Sequence, residues 1–228
     1  MSPTLYQKIT YHRLFNLLSG IVPAAFFMLL VLVEAHDLSQ LFLDPSRVAT
    51  NTHFTASIAS SVAQILFMSL VVLLFLIRKP PVSKAIGIQP RVSALAGTFL
   101  LMTLVLLPPP EPTLFQSILG LSLIATGSAL SAVAISYLGR SFSIMAEARE
   151  LITHGPYAFI RHPLYLAEEV AVLGAIVIFF SIPAVLLLFC HIAIQIQRIR
   201  NEETILRQAF PEYTAYMTRV SRIIPGVY

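Results

Sequence analysis

The chain has 228 residues, 57% of them hydrophobic and 11% charged, with a formal net charge of +4. Soluble domains carry about 25% charged residues, so this composition excludes an ordinary globular protein and points to an integral membrane one. The basic residues are scattered through connectors with no solvated basic domain to carry them, which excludes nucleic acid as a partner, and the single cysteine, Cys190, excludes an internal disulfide framework and reads as a packing residue in an apolar run.

The first apolar segment, Leu14–Val33, is uncharged and long enough to cross a hydrocarbon core of about 30 Å. Lys8, His12 and Arg13 precede it, and Glu34, Asp37 and Asp44 follow it where a leader would carry a small-residue cleavage site, so no secretory leader is read. Ile58–Ile77 is a second span, closed by Arg78-Lys79-Pro80-Pro81. Val92–Leu107 is a third, ended by a proline-rich stretch, Pro108 to Pro112, that cannot continue a helix. The fourth, Leu114–Leu138, carries Gly120, Gly127, Ser128, Ala129, Ser131 and Ala132, small residues that let membrane helices approach closely and that predict a central position.

A polar loop from Gly139 to Pro163 comes next. Within it, His154-Gly155-Pro156-Tyr157 and Arg161-His162-Pro163-Leu164-Tyr165 concentrate polar and turn-forming residues in an otherwise apolar chain. Glycine permits positive φ and proline fixes its own, so Gly155-Pro156 predicts a turn, and Pro163 suits the first turn of a helix. Leu164–Ile182 and Pro183–Gln197 then form fifth and sixth segments, broken only at Ser181-Ile182-Pro183, which predicts a tight helical hairpin. The last helix is free to continue past Arg198, and helical character persists until Pro211.

The fold class expected is therefore all-α, a polytopic bundle of about six transmembrane helices with a C-terminal helical hairpin and a cytosolic tail. It forms one membrane domain over residues 1–228, with three spans in 1–113 and a core in 114–228. With the N-terminus cytoplasmic, every one of the 15 Lys and Arg except Arg47 falls on the cytoplasmic side. The positive-inside rule thus supports the span count and puts both termini in the cytoplasm. The polar loop and the tail then share one face and can meet, as they could not with five spans.

Three polar groups converge there. The loop offers Tyr157, Arg161 and His162. Tyr165, Glu168 and Glu169 open the fifth span, where Tyr165 can sit beside either glutamate. A carboxylate in a span is costly and marks a functional candidate, so Glu169 is a candidate catalytic base; the alternative is a structural partner for Arg161. His191, Gln195, Arg198 and Glu202 follow helical spacing and lie on one stripe. That stripe reads as the wall of a polar cavity, with His191, Gln195 and Arg198 as substrate-binding candidates; the alternative is a helix face with interhelical hydrogen bonds.

Gly155-Pro156-Tyr157, Arg161-His162-Pro163-Leu164-Tyr165, Glu202-Glu203, Phe210-Pro211-Glu212-Tyr213, Arg219-Val220 and Ile224-Pro225-Gly226 stand in an order that resembles the isoprenylcysteine carboxyl methyltransferase and phospholipid methyltransferase superfamily. The resemblance covers roughly residues 115–228; Gly139-Arg140-Ser141 fits the same pattern, and Ala167 departs from its usual glycine. It implies S-adenosylmethionine as methyl donor, held at the cytosolic face by His154, Gly155, Pro156, Tyr157, Arg161, His162, Pro163, Tyr165, Glu202 and Glu203. Arg161 and His162, with Glu169, would be the catalytic groups. No metal is expected. The acceptor implied is hydrophobic or lipidated and enters from the bilayer, most like an isoprenylcysteine carboxylate. A phospholipid amine and a small thiol are alternatives, as are a membrane reductase of the steroid 5α type and a small transporter. The setting expected is a prokaryotic inner membrane.

Overall fold

A computed structural model describes residues 3–226 apart from Pro45, Arg47, Ala49, Pro109 and Pro110, with the side chains of residues 3–19 left aside. Arg47, the exception in the charge count, thus lies outside the described residues, as do the side chains of Lys8, His12 and Arg13. The elements run α1 (Pro3–Leu43), α2 (Asn51–Ile77), β1 (Ser83–Lys84), α3 (Gln89–Phe99), a 3-10 helix (Leu100–Leu106), α4 (Leu114–Leu138), β2 (Glu147–Ala148), α5 (Pro163–Ile178), α6 (Ile182–Ala209) and α7 (Tyr213–Arg219). The all-α expectation holds: the only sheet among the described residues is the two-stranded antiparallel pair of β1 and β2.

Five helices are long and apolar enough to cross a membrane, Gly20–Leu43, Asn51–Ile77, Gln89–Leu106, Leu114–Ser141 and Ile182–Ala209. The expected fifth span, α5, has 16 residues and so covers about 24 Å. It is nonetheless one arm of the predicted hairpin. Ser181 caps α6 by accepting from the Ala184 N–H, and the hairpin tip at Phe179–Ser181 shares a cavity with Glu111 and Gln116 at the start of α4. Thus α5 and α6 traverse the bundle together, and their outer ends return to one side. Cys190 is exposed on α6 and not packed. Phe99, at φ −113°, ends α3, and the third segment continues as the 3-10 helix.

The small residues of α4 act as expected. A Cβ on Gly127 would collide with the Ala171 N–H and the Ala167 carbonyl of α5, so α4 and α5 pack backbone against backbone. The other core joins α1, α2 and the loop after α4 through Phe27, Phe75, Ile135 and Phe142, with the Phe75 and Phe142 rings edge to face at 5.5 Å. Outward faces stay apolar: Leu29, Leu66, Leu73, Val133 and Phe189 are exposed, the pattern of helices solvated by lipid.

The connectors gather at one end. The Lys79 N–H donates to the Arg140 carbonyl, Arg140 Nε donates to the Ile77 carbonyl, and Lys79 pairs with Glu150. β1 and β2 tie the second connector to the polar loop. The loop in turn is tied to the tail.

Candidate functional site at the polar end of the bundle

The loop owes its shape to the residues that single it out in the sequence. Gly155 sits at φ +61°, and a Cβ there would overlap the Tyr137 ring, so only glycine fits. Gly155–Ala158 forms a 3-10 turn, and Pro163 opens α5 with His162 as the cap residue. The backbone N–H groups of Arg161 and His162 donate to the carbonyls of Ser221 (2.9 Å) and Arg222 (3.1 Å). Arg161 Nη1 donates to the Met217 carbonyl, and Tyr216 Oη donates to the Tyr157 carbonyl at 2.5 Å. The loop and the tail are one unit.

Their pivot is Glu203, whose side chain is 1% exposed. Arg161 Nε lies 3.0 Å from its Oε1 and His162 Nε2 lies 3.2 Å from the same oxygen. Arg222 grips both oxygens, Nε on Oε1 at 3.1 Å and Nη2 on Oε2 at 2.7 Å. A buried carboxylate tolerates burial only with this density of charged donors. Glu202 points elsewhere: it accepts from Tyr165 Oη at 3.0 Å and faces a cleft. Adjacent in sequence, the two glutamates sit about 100° apart around the helix and so serve different neighbours. The Tyr165 hydroxyl thus spends its hydrogen bond on Glu202.

That cleft is lined by Tyr157, Arg161, Glu202, Tyr213 and Tyr216 together with Ser141, Met145, Glu147 and Arg149. Burial pushes the hydroxyl pKa of Tyr157 well up, raises that of Tyr213 strongly, and raises that of Tyr216 to about 12. All three therefore remain neutral O–H donors at physiological pH. Ser141 Oγ, Arg149 Nε, Tyr157 Oη and Tyr213 Oη are buried and find no hydrogen-bond partner among the described residues. One such group costs about 1–3 kcal/mol, so four around one cleft mark a place built for a polar ligand. The cleft holds about 60 Å³, below the ~300 Å³ of a small-molecule site, so the loop and tail must part to admit one.

Beside it lies an apolar pocket of about 630 Å³ between α1, the end of α2 and α3, walled by Val22, Phe26, Phe75, Leu95 and Phe99. Val22 and Leu95 are exposed, so the pocket is open towards lipid. Ser143, Met145 and Glu147 line both the pocket and the cleft. Met145 also lines a narrow gap of about 10 Å³ that reaches Tyr165, Arg198 and Glu202.

The stripe on α6 packs inside the bundle. His191, Gln195 and Arg198 are buried, and α3 packs closely over Gln195 and Arg198. A Cβ on Gly97 would run into Arg198 and Gln195, and Asn201 Nδ2 donates to Ser93 Oγ at 2.9 Å. Arg198 Nη1 donates to Gln195 Oε1 at 2.7 Å, Gln195 Nε2 donates to Glu168 at 3.4 Å, and the Arg198 guanidinium lies 5.0 Å from the Tyr165 ring centroid. Glu169 lies 3.1 Å from His191 Nε2. Neither glutamate pairs with Arg161, and Glu169 stands apart from the Arg161–His162 group. His154 is exposed, its ring 5.9 Å from that of Tyr137.

Among the described residues no group of three or more His, Cys, Asp or Glu is placed to hold a metal ion. Sequence reasoning passed over Arg149, Met145, Tyr216 and Arg222. For Tyr216 a signal existed, since Tyr213 and Tyr216 are three apart and share a helix face; for Met145 and Arg149, in an irregular loop, none did.

Two curated relatives match part of the chain. The nickel-cobalt-cadmium resistance protein NccN of Alcaligenes xylosoxydans xylosoxydans is 34% identical over 80 residues, 35% of this chain and 38% of that protein. The cobalt-zinc-cadmium resistance protein CzcN of Cupriavidus metallidurans is 33% identical over 108 residues, 47% of this chain and 46% of that protein. The matches thus span less than half the length of either relative. Residues 115–213 match the phospholipid methyltransferase family. That segment supplies Glu202, Glu203, Arg161, His162 and most of the cleft.

Proposed function

We propose that the protein is a membrane methyltransferase that uses S-adenosylmethionine, with the donor in the tyrosine cleft and a hydrophobic acceptor in the neighbouring apolar pocket. The observation that carries this reading is the junction itself. A cleft with four unpartnered polar groups and a lipid-open apolar pocket share Ser143, Met145 and Glu147, and the cleft belongs largely to the segment matched by the family.

The residues present fit the donor's chemistry. Glu202 would hold its amino group or ribose hydroxyls, Arg149 its carboxylate, and Tyr157 and Tyr213 would offer O–H donors and aromatic faces, which attract a sulfonium. The family resemblance adds His154, Gly155, Pro156 and Tyr165 as residues shaping or lining that site. Arg161, His162, Pro163 and Glu203 act on this reading through the loop-and-tail clamp. When bound, the donor supplies an electrophilic methyl group. The chain's contribution is alignment and exclusion of water, and orientation alone recovers about 7–11 kcal/mol of such a barrier. The reaction is most like carboxyl O-methylation of an isoprenylcysteine, for which no base is needed. An amine acceptor would need one, and the Glu169–His191 pair stands apart from the cleft.

On the same reading both termini are cytoplasmic, in a prokaryotic inner membrane, since the basic connectors, loop and tail gather at one end. Calorimetric titration of the purified protein with S-adenosylhomocysteine tests the proposal. Saturable one-site binding is expected, and no heat at any concentration overturns it.

A further inference from the structure

The connector between α2 and α3, residues 78–88, runs at both ends directly into a span. Its middle is held on the protein: the Val82 and Ala85 N–H groups donate to the Ala148 and Ala146 carbonyls at 2.7 and 2.9 Å. Extended side chains alternate between faces, and here Val82, Lys84 and Ile86 are exposed while Ser83 and Ala85 are half-buried. Gly87, at φ +106°, then turns the chain into α3. The Val92 N–H donates to the Ile88 carbonyl, so Ile88, Val92 and Leu95 share one helical face. All three are exposed, and Ile86 is 95% exposed. The outer face of the span Gln89–Leu106 thus continues past its helix end to Ile88 and Ile86. Residues 78–91 also hold Arg78, Lys79, Lys84 and Arg91 and no acidic residue. Lys79 and Lys84 face Glu150 and Glu147 of the polar loop, and Arg91 is exposed on the first turn of α3.

From this we infer that the connector is an interfacial anchor whose partner is the anionic phospholipid of the adjoining leaflet. Val82, Ile86 and Ile88 enter the boundary between headgroups and acyl chains, and Lys84 and Arg91 meet the lipid phosphates. Contiguous exposed aliphatic side chains mark an interaction surface. Aliphatic residues interleaved with lysine and arginine are the composition that holds a segment in an anionic interface. Lipid is the occupant, and not a second copy or a soluble protein, because the exposed stripe is continuous with the outer face of a span. Lys84, Ala85, Pro90 and Arg91 also line the apolar pocket, so the anchor fixes one lip of that pocket at headgroup depth. The inference stands apart from methyl transfer.

The test uses the full-length protein in nanodiscs of phosphatidylcholine with a graded share of phosphatidylglycerol. Cys190 is the single cysteine, so Ile86→Cys in a Cys190→Ser background carries one environment-sensitive fluorophore. Its emission should shift to the blue, and iodide should lose access to it, as phosphatidylglycerol is added. Arg91→Gln or Lys84→Gln should weaken the apparent affinity for phosphatidylglycerol about fivefold each, the worth of one basic residue at an anionic surface. Amide hydrogen exchange of residues 85–88 in the unlabelled parent should slow over the same lipid range, which a label-driven insertion would not produce. Ile88→Asp should abolish that slowing with an unchanged melting midpoint in detergent. A fluorophore open to iodide in every nanodisc overturns the anchor, as does exchange that ignores lipid. Equal shielding in pure phosphatidylcholine overturns the anionic partner, and shielding seen only with two copies in a disc overturns lipid in favour of a second chain.

Discussion

Glu202 and Glu203 are neighbours in sequence with opposite surroundings, and exchanging each for glutamine separates clamp from cleft. Glu203→Gln keeps the volume but removes the negative charge that faces Arg161, His162 and Arg222 from a side chain that is 1% exposed. Removing one partner of a buried ion pair costs about 3–5 kcal/mol. Arg222 keeps some access to water, its side chain 20% exposed, which favours the low end of that range. A cost of about 3 kcal/mol lowers the melting midpoint of a chain this size by roughly 6–12 °C. The chain has no tryptophan, so the assay is the helical circular-dichroism signal of the detergent-solubilised protein during heating. The loss should persist in 1 M salt, because the cluster is buried and weakly screened. Glu202→Gln retains an acceptor for Tyr165 Oη, so its midpoint should stay within about 2 °C of the parent. Its S-adenosylhomocysteine affinity should fall by about tenfold. A Glu203→Gln protein that melts like the parent, or a Glu202→Gln protein that melts as low as Glu203→Gln, would refute the division of roles.

Arg222→Gln removes the two-point grip on Glu203, so amide hydrogen exchange in residues 155–162 should rise well before the transmembrane helices respond; unchanged exchange there would mean that the backbone bonds to Ser221 and Arg222 suffice alone. Met145→Trp places a large ring where pocket and cleft meet, and should abolish methyl transfer while S-adenosylhomocysteine still binds. Loss of both together would count against a shared wall. Gly127→Val forces a branched side chain into the Ala167–Ala171 backbone of α5 and should cost about 3 kcal/mol or more, read as a lower melting midpoint; a parent-like midpoint would show that the α4–α5 contact yields freely.

Composition and apolar run length determined that the chain spans a membrane, where its helices lie, and which end is basic, because burying a backbone in lipid leaves helix as the only economical choice for an uncharged run of this length. The turn at Gly155-Pro156, the start of α5 at Pro163 and the hairpin at Ser181 were legible for the same reason, since glycine, proline and capping serine act through their own backbone. Side-chain partners were not legible in this way. That Tyr165 turns to Glu202, that Glu203 collects Arg161, His162 and Arg222, and that α3 closes over Arg198 and Gln195 depend on the rotation and approach of helices far apart in the chain. The apolar pocket is the clearest case. It is walled by α1, α2, α3 and the 143–147 segment together, and no spacing within one element records a cavity that exists only between them.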